Sequence, residues 1–311
     1  MSGWTFADWL PLRCLGKGWA GKNRQARTAR RKRAALSWRR SLPRWRRAFL
    51  EPLESRLALA IYQVTTTADD ANPVPSAGDG SAANPFQMSS LRGAILAANQ
   101  NSGADSIIFN VDASVPGVKT ISPASPLPQI TDPVTIDGYT QPDASANTLA
   151  VGNDAKLRIQ LNGQNVGTSG DGLVIVAGNS TIRGLVIHSF RNGIVLSGGN
   201  ANKIEGNFLG TDPTGSTGIG NLSAGINITS ANNVIGGPIP VPSPAARNVI
   251  SGKGAPGGPG IRIEGPGASG NAVQGNYIGT NASGTAALPN AGHGIRKAGQ
   301  RPLGVHRTAP V

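Results

Sequence analysis

Four carboxylates, Asp171, Glu205, Asp212 and Glu264, lie between residues 171 and 295. Carboxylates gathered on neighbouring elements could hold Ca²⁺ or act as an acid/base pair at a glycosidic bond. The spacing offers no such gathering. Glu205 and Glu264 stand in different local contexts, and Asp212 follows a Gly-Thr pair, where it reads as the cap of a turn. The three histidines, His188, His293 and His306, lack the spacing of metal ligands. His293 sits in Gly292-His293-Gly294-Ile295-Arg296-Lys297, a histidine followed by a basic pair, but the paired Asp motifs that would work with it are missing upstream. His188 ends the apolar run Gly184-Leu185-Val186-Ile187-His188 and reads as an outward or satisfied histidine. Asp69-Asp70 reads as a solvated loop pair. Cys14 is the single cysteine, which excludes an internal disulfide and a Cys-based zinc site. The chain has no phosphate loop, nucleophile elbow or zinc-protease helix. No residue is therefore assigned a catalytic, cofactor-binding or metal-binding role, and no cofactor is expected.

The elements that would position any site are short. Gly accounts for 43 of 311 residues, charged residues for 14% and aromatics for 5%. Such a chain buries small and β-branched side chains, which suits a stacked repetitive fold. Ile61-Tyr62-Gln63-Val64-Thr65-Thr66-Thr67 predicts a strand, and the polar stretch after it, to residue 88, predicts a loop. Next, Leu91, Ala94, Ile95 and Ala98 fall on one face of a helix. Ser89 or Ser90 can cap that helix, and a single helix there would cover the open end of an array. From Asp105 onward, short apolar runs such as Ile107-Ile108-Phe109, Val134-Thr135-Ile136 and Leu157-Arg158-Ile159-Gln160-Leu161 predict strands.

Three repeat series run through the second half. Asn202-Lys203-Ile204-Glu205-Gly206-Asn207-Phe208-Leu209-Gly210-Thr211 matches Asn271-Ala272-Val273-Gln274-Gly275-Asn276-Tyr277-Ile278-Gly279-Thr280 at an offset of 69, which predicts three turns of 23. Gly193-Ile194, Gly225-Ile226, Gly260-Ile261 and Gly294-Ile295 form a second series. Asn233-Val234-Ile235-Gly236 and Asn248-Val249-Ile250-Ser251 form a third. Runs this short make no stable sheet alone. Stacked at one strand spacing per coil, they build continuous parallel sheets, with Ile194, Ile226 and Ile261 in one inward column. Gly would serve positive-φ corners, and Asn would form side-chain ladders between coils. The expected fold is all-β: a right-handed parallel β-helix, or solenoid, with a short N-terminal capping helix and a disordered basic leader.

Residues 61–295 resemble a bacterial group of right-handed β-helix repeat proteins with the pectate-lyase-like fold. Ser90-Leu91-Arg92-Gly93-Ala94-Ile95 resembles the group's opening motif Cys-Ser-Leu-Arg-Glu-Ala, with Ser89 in place of Cys and Gly93 in place of Glu. Thr131-Asp132-Pro133-Val134-Thr135-Ile136-Asp137-Gly138 with Thr140-Gln141-Pro142, and Asn207-Phe208-Leu209-Gly210-Thr211-Asp212, resemble it too. Leu50-Glu51-Pro52-Leu53-Glu54-Ser55-Arg56-Leu57-Ala58-Leu59 resembles the Leu-Glu-Pro-Arg leader of large exported bacterial surface proteins, with Leu53 where that type has Arg. The resemblances imply the fold and a secreted or cell-surface location.

The formal charge of +13 is concentrated at the start: residues 1–56 carry 15 Lys/Arg against 3 Asp/Glu, and residues 57–311 carry 14 against 13. The expected organisation is a basic leader over 1–60, a strand, loop and capping helix over 61–104, β-helix coils over 105–295 and a non-repeat tail over 296–311. No apolar run is long enough to cross a bilayer. The expected function is a non-catalytic surface scaffold for adhesion or polysaccharide binding, with polysaccharide or cell-envelope components as partners. The alternatives are a lyase or glycoside hydrolase acting on acidic polysaccharide, and nucleic-acid binding through the basic, Trp-containing leader. Because the pattern stops in mid-coil after Ile295, the reading also expects further coils beyond it in the natural gene. Translating the downstream coding DNA in all three frames tests this: Gly-Ile and Asn-x-Ile-x-Gly-Asn coils should resume, and a helix formed by residues 296–311 over the last coil would contradict it.

Overall fold

The computed structural model describes residues 59–237, 243–252 and 258–298. The basic leader with Cys14, the leader motif up to residue 58, and the end of the tail with His306 lie outside the described residues. The described chain is predominantly β, and the strand pairs of its three sheets are all parallel. It opens with β1 (Ile61–Ala68), β2 (Phe86–Ser90), helix α1 (Leu91–Gln100), β3 (Asp105–Phe109) and β4 (Lys119–Ile121). The strands then come in threes. These are β5 (Val134–Asp137), β6 (Ile159–Asn162) and β7 (Leu173–Ile175); β8 (Thr181–Arg183), β9 (Leu185–His188) and β10 (Asn192–Leu196); and β11 (Lys203–Glu205), β12 (Phe208–Leu209) and β13 (Ala224–Ile228). Two more sets follow: β14 (Val234–Gly236), β15 (Val249–Ile250) and β16 (Ile261–Glu264), then β17 (Ala272–Gln274), β18 (Tyr277–Ile278) and β19 (Ile295–Ala298). In each set the first strand joins the first sheet, the second the second and the third the third. Each set is thus one circuit of the chain, an arrangement compatible with a parallel β-helix.

Register turns the circuits into apolar columns. In the first sheet Tyr62, Ile107, Ile136, Ile182, Ile204, Ile235 and Val273 are successive partners. In the second, Ile121, Leu161, Ile187, Leu209, Ile250 and Ile278 align. In the third, Leu173, Ile194, Ile226, Ile261 and Ile295 align, which includes the inward column read from the sequence. All but the last circuit's members are buried. Each buried Ile or Leu contributes about 1.5–3 kcal/mol by leaving water.

The repeat offset from Asn207 to Asn276 spans two circuits, not three. Ile204 pairs with Ile235 and Ile235 with Val273, and likewise Leu209 leads to Ile250 and then Ile278. The two circuits of this repeat are longer than the expected uniform turn, 31 and 38 positions from Ile204 to Ile235 to Val273 against 22 from Ile182 to Ile204, because loops of different length join the same three sheets. The Asn-Val-Ile series is also redrawn. Asn233 precedes a first-sheet strand and Asn248 a second-sheet strand, so these two segments are neighbours within one circuit and not equivalent rungs.

Asparagine ladders tie the circuits together at the corners. The Asn202 backbone N–H donates to Asn233 Oδ1 at 3.0 Å, and that of Asn233 donates to Asn271 Oδ1 at 2.9 Å. A second ladder runs from Asn207 to Asn248 to Asn276, through backbone donors at 2.9 and 3.2 Å and side-chain donors at 3.2 and 2.8 Å. The Gly-Ile glycines have a different role from the positive-φ one expected of them. Those at 193, 225, 260 and 294 are absent from the left-handed residues. A Cβ on Gly225 would instead lie 2.7 Å from the Gly260 carbonyl oxygen of the next circuit. Positive φ does occur at other repeat glycines, such as Gly206 and Gly275.

The N-terminal helix forms as expected, with Ser90 as N-cap accepting from the Gly93 N–H at 2.9 Å. Leu91, Ala94, Ile95 and Ala98 join the same core as the sheets. The strand β2 falls in part of the stretch read as loop, because Phe86-Gln87-Met88 carries little β-branched signal. Gly93 is required by packing: a Cβ there would lie 2.2 Å from the Asn72 carbonyl oxygen. At the other end the last strand runs on to Ala298, past the expected limit of the array at Ile295.

Asn248 is the rung with most to lose. Its side chain accepts from Asn207 and donates to the Ile204 carbonyl at 2.7 Å. Asn248→Ala would orphan both backbone groups in a buried site, and it should cost about 2–5 kcal/mol. Urea unfolding of the variant against the wild type checks this. A loss below about 0.5 kcal/mol would show that the ladder is not holding the circuits.

Candidate functional site

The outer face of the first sheet is the best candidate surface. Side chains alternate along a strand, so the residues between the inward isoleucines point outward. Ser106, Thr135, Thr181 and Lys203 form one row across four strands. Beside it, Ile108, Asp137, Arg183 and Glu205 form a second row. The second row brings two carboxylates to either side of one guanidinium.

Its geometry is set from below. Asp137 caps the short helical turn Gly138–Thr140, accepting from the Tyr139 N–H at 3.0 Å. Arg183 Nη2 donates to the other Asp137 oxygen at 2.6 Å. The Asp137 carboxylate is 10% exposed and the Arg183 side chain 46% exposed, so the pair sits at the rim of solvent. The hydrogen bond to Asp137, helped by the negative charge of Glu205, pushes the Arg183 pKa further up. Under the row, burial and the neighbouring Asp137 push the Tyr139 phenol up as well, and its Oη donates to the Gly206 carbonyl at 2.7 Å. The row can offer a polymer one fixed cation and two acceptors. It does not present a free carboxylate pair, because Arg183 neutralises Asp137 and stands between it and Glu205.

The other chemistry-bearing residues are scattered. Asp171 lies at the edge of the third sheet, paired with Arg191 through Nε at 2.8 Å and through Nη2, and it accepts from Asn192 Nδ2 at 2.8 Å. Glu205 is in the first sheet and Glu264 in the third, so they do not meet. Asp212 caps its loop, as read from the sequence: Oδ1 accepts from the N–H groups of Ser216 and Thr217 at 2.9 and 2.8 Å. Burial alone would raise the Asp212 pKa, but hydrogen bonds from Thr214, Thr217 and Ser216 hold it below the usual carboxylate range. His293 is exposed, and its backbone carbonyl pairs with Gly260.

Two expectations are corrected. Asp69-Asp70 is not a solvated pair. Arg92 grips Asp69 through Nε and Nη2 at 2.7 and 3.1 Å and also donates to the carbonyls of Ser125 and Pro126. Asp70 accepts from Ser89 Oγ at 2.7 Å, so both carboxylates anchor the loop that precedes the helix. His188 is neither outward in water nor fully satisfied. It is 3% exposed, Nδ1 meets Ser189 Oγ at 2.9 Å, and Nε2 is buried without a partner.

Sequence reasoning passed over two further buried groups. Asp105 accepts from the Ala60 N–H and Asn101 Nδ2, while its Oδ2 has no partner, and burial with the nearby Asp132 raises its pKa. Arg247 lies 4.7 Å from the Tyr277 ring centroid and donates to the carbonyls of Leu149, Ala150 and Gly152. It thereby straps the 147–154 loop over the outside of the second sheet, above the cluster of Leu157, Val186, Phe208 and Val249. Neither residue carries a sequence signal, since their partners lie far along the chain. Among the described residues, no group of three or more His, Cys, Asp or Glu side chains is placed to hold a metal ion. No helix among them is long and apolar enough to cross a membrane.

Comparison with protein-family models, with curated proteins and with solved structures produced no match to this chain.

The ion pair at the centre of the row gives a quantitative expectation. Half-exposed pairs contribute little, so a double-mutant cycle of Asp137→Asn and Arg183→Met should yield a coupling of roughly 0.5–1 kcal/mol. Thermal or urea unfolding of the four proteins measures it. A coupling of zero in low salt would mean that the two side chains do not pair in solution.

Proposed function

We propose that the chain is an exported, cell-surface scaffold of the right-handed parallel β-helix, pectin-lyase-like type, which binds polysaccharide on the outer face of its first sheet without cleaving it. The observation that carries this reading is the pair of outward rows just described. Ser106, Thr135, Thr181 and Lys203 beside Asp137, Arg183 and Glu205 give a rail of hydrogen-bonding groups repeated at each strand. Strand spacing fixes the repeat at about 4.8 Å, and a regular rail suits a regular polymer. The leader motif and the basic stretch before it support export. The carboxylates within the repeats are engaged in pairs or caps, or stand apart, which supports binding over catalysis.

A second reading is a lyase or hydrolase acting on acidic polysaccharide. The observation favouring it is the placement of Asp137 and Glu205 on strands two apart with Arg183 between, their backbones roughly 10 Å from each other. A hydrolytic pair needs one carboxyl as acid and the other as base across a sugar. A lyase needs a cation to acidify the proton it removes and a base to take it. In either case Arg183 would have to release Asp137.

One experiment separates the readings. The full chain is incubated with polygalacturonate and with a neutral glucan. Binding is read by co-sedimentation, and cleavage by reducing ends and by the ultraviolet absorbance of unsaturated product. The scaffold reading expects co-sedimentation with at least one polymer, weakened several-fold by Arg183→Met with Lys203→Met, and no product. Product that disappears in Glu205→Gln would transfer the assignment to the enzyme reading. Binding that survives the double substitution unchanged would remove the first-sheet face as the site.

A further inference from the structure

Two equivalent loops leave the second sheet on neighbouring parts of the stack. The first runs Thr211-Asp212-Pro213-Thr214-Gly215-Ser216-Thr217-Gly218, and the second Thr280-Asn281-Ala282-Ser283-Gly284-Thr285-Ala286-Ala287. Both are closed by the same bridge, Thr211 with Gly218 and Thr280 with Ala287. Both are capped by the side chain at the second position. Asp212 Oδ1 takes the N–H groups of Ser216 and Thr217, and Asn281 Oδ1 takes those of Thr285 and Ala286 at 3.1 and 3.2 Å. The loops touch, with the Ala282 N–H donating to the Gly215 carbonyl at 2.8 Å.

The difference lies in charge. The first cap is a carboxylate and the second an amide. Beneath the first loop, at the end of β9, sits His188, whose strand precedes β12 in the second sheet. Beneath the second sits Ser251, which donates to the Thr280 carbonyl at 2.7 Å and does not titrate. His188 is sealed from water, and its Nε2 has no partner in either tautomer. On the other side of β9 its partner in register is Asn162, which carries no charge. Asp212 is the charged group that acts on His188, and both Asp212 oxygens are already committed to their own loop.

We propose that the 211–218 loop is an acid-responsive element: protonation of His188 opens it, while its twin at 280–287 stays closed. The imidazolium needs an acceptor or water for Nε2–H. The closed loop provides neither, unless Asp212 abandons Ser216 and Thr217. Burial lowers the His188 pKa below its ordinary value of 6.5. The sign follows: the closed loop keeps its full stability above the ordinary pKa and loses it as pH falls through the lowered one. Opening would release the surface hydroxyls of Thr214 and Ser216 from Asp212 and from each other, which gives an exported protein a surface that differs between neutral and acidic surroundings.

Amide hydrogen exchange on the full chain tests this at single residues. Protection factors, corrected for intrinsic rates, are compared between about pH 7 and 5, the range over which histidine charges. Protection at Ser216 and Thr217 should fall with pH, by at most about tenfold per unit for one linked proton. Protection at Thr285 and Ala286, and at the core amide of Val249, should not change. In His188→Gln the pH dependence at Ser216 and Thr217 should vanish. If that variant folds poorly, Asp212→Asn supplies a second measurement: it gives the first loop the cap of the second, and the pH response should persist, since His188 still lacks an acceptor. Equal loss in both loops, or protection at Ser216 that rises on acidification because an imidazolium–Asp212 pair tightens the loop, overturns the proposal.

Discussion

Everything in this molecule depends on in-register stacking of parallel strands. Each circuit must present its hydrogen-bonding edge to the next at one strand spacing, so a side chain is always judged against the one above and the one below. An apolar position therefore becomes a column, and Ile182, Ile204 and Ile235 can be adjacent although they are far apart in the chain. The corners, where the chain leaves one sheet for the next, obey the same rule with polar groups. A backbone N–H that leaves a sheet at a bend would be buried without a partner. The asparagine of the next circuit supplies the acceptor, and its own N–H is met in turn by the circuit after that. Glycine appears in the Gly-Ile column for the same reason: the carbonyl of the next circuit lies where a Cβ would be.

This constraint explains what could be read from the sequence. Side chains that recur because the stack needs them leave a period, so the strands of the repeats, the inward Ile column, the Asn ladders and the N-terminal helix were legible, whereas β2, outside the repeats, was not. The number of circuits in the period was not. Stacking fixes the strands and leaves the loops free. The step from Asn207 to Asn248 is accordingly 41 positions and that from Asn248 to Asn276 only 28, although each is one rung. The similarity of Asn233-Val234-Ile235 to Asn248-Val249-Ile250 was legible as well but misleading, because two corners of one circuit pose the same chemical problem and find the same answer.

The polar side chains of the candidate face were legible only as residues, not as a site. Asp137, Arg183 and Glu205 belong to three separate strands whose unequal sequence separations show no common period. Only the register brings them into a row. Arg247 and Asp105 are similar cases. Arg247 binds the loop of Leu149, Ala150 and Gly152, a whole group of circuits earlier, and Asp105 closes on Ala60 from beyond the helix. Composition and local spacing carry no trace of such contacts. His188 shows the opposite error, since a histidine at a strand end resembles an outward position until the following loop is folded over it.

The double circuit offers its own comparison of structural with functional demand. From its start to its repeat, Ile204, Gly206, Asn207, Gly210 and Thr211 return as Val273, Gly275, Asn276, Gly279 and Thr280. These are the positions that stacking requires, and they hardly change. Lys203, Glu205 and Asp212 return as Ala272, Gln274 and Asn281. The charges are lost while the hydrogen-bond geometry of the cap survives, since Asn281 holds its loop as Asp212 does. Charge at these three places is therefore not needed to build the coil. Near one of these carboxylates, Asp212, lies His188, a buried ring left with an unsatisfied nitrogen. Residues that the stack can replace by neutral ones, yet which occur together on adjoining strands of one segment, are the ones whose chemistry is left over for binding and response. In this chain they converge on the strands β8 to β12, and that segment is where a functional surface should be sought first.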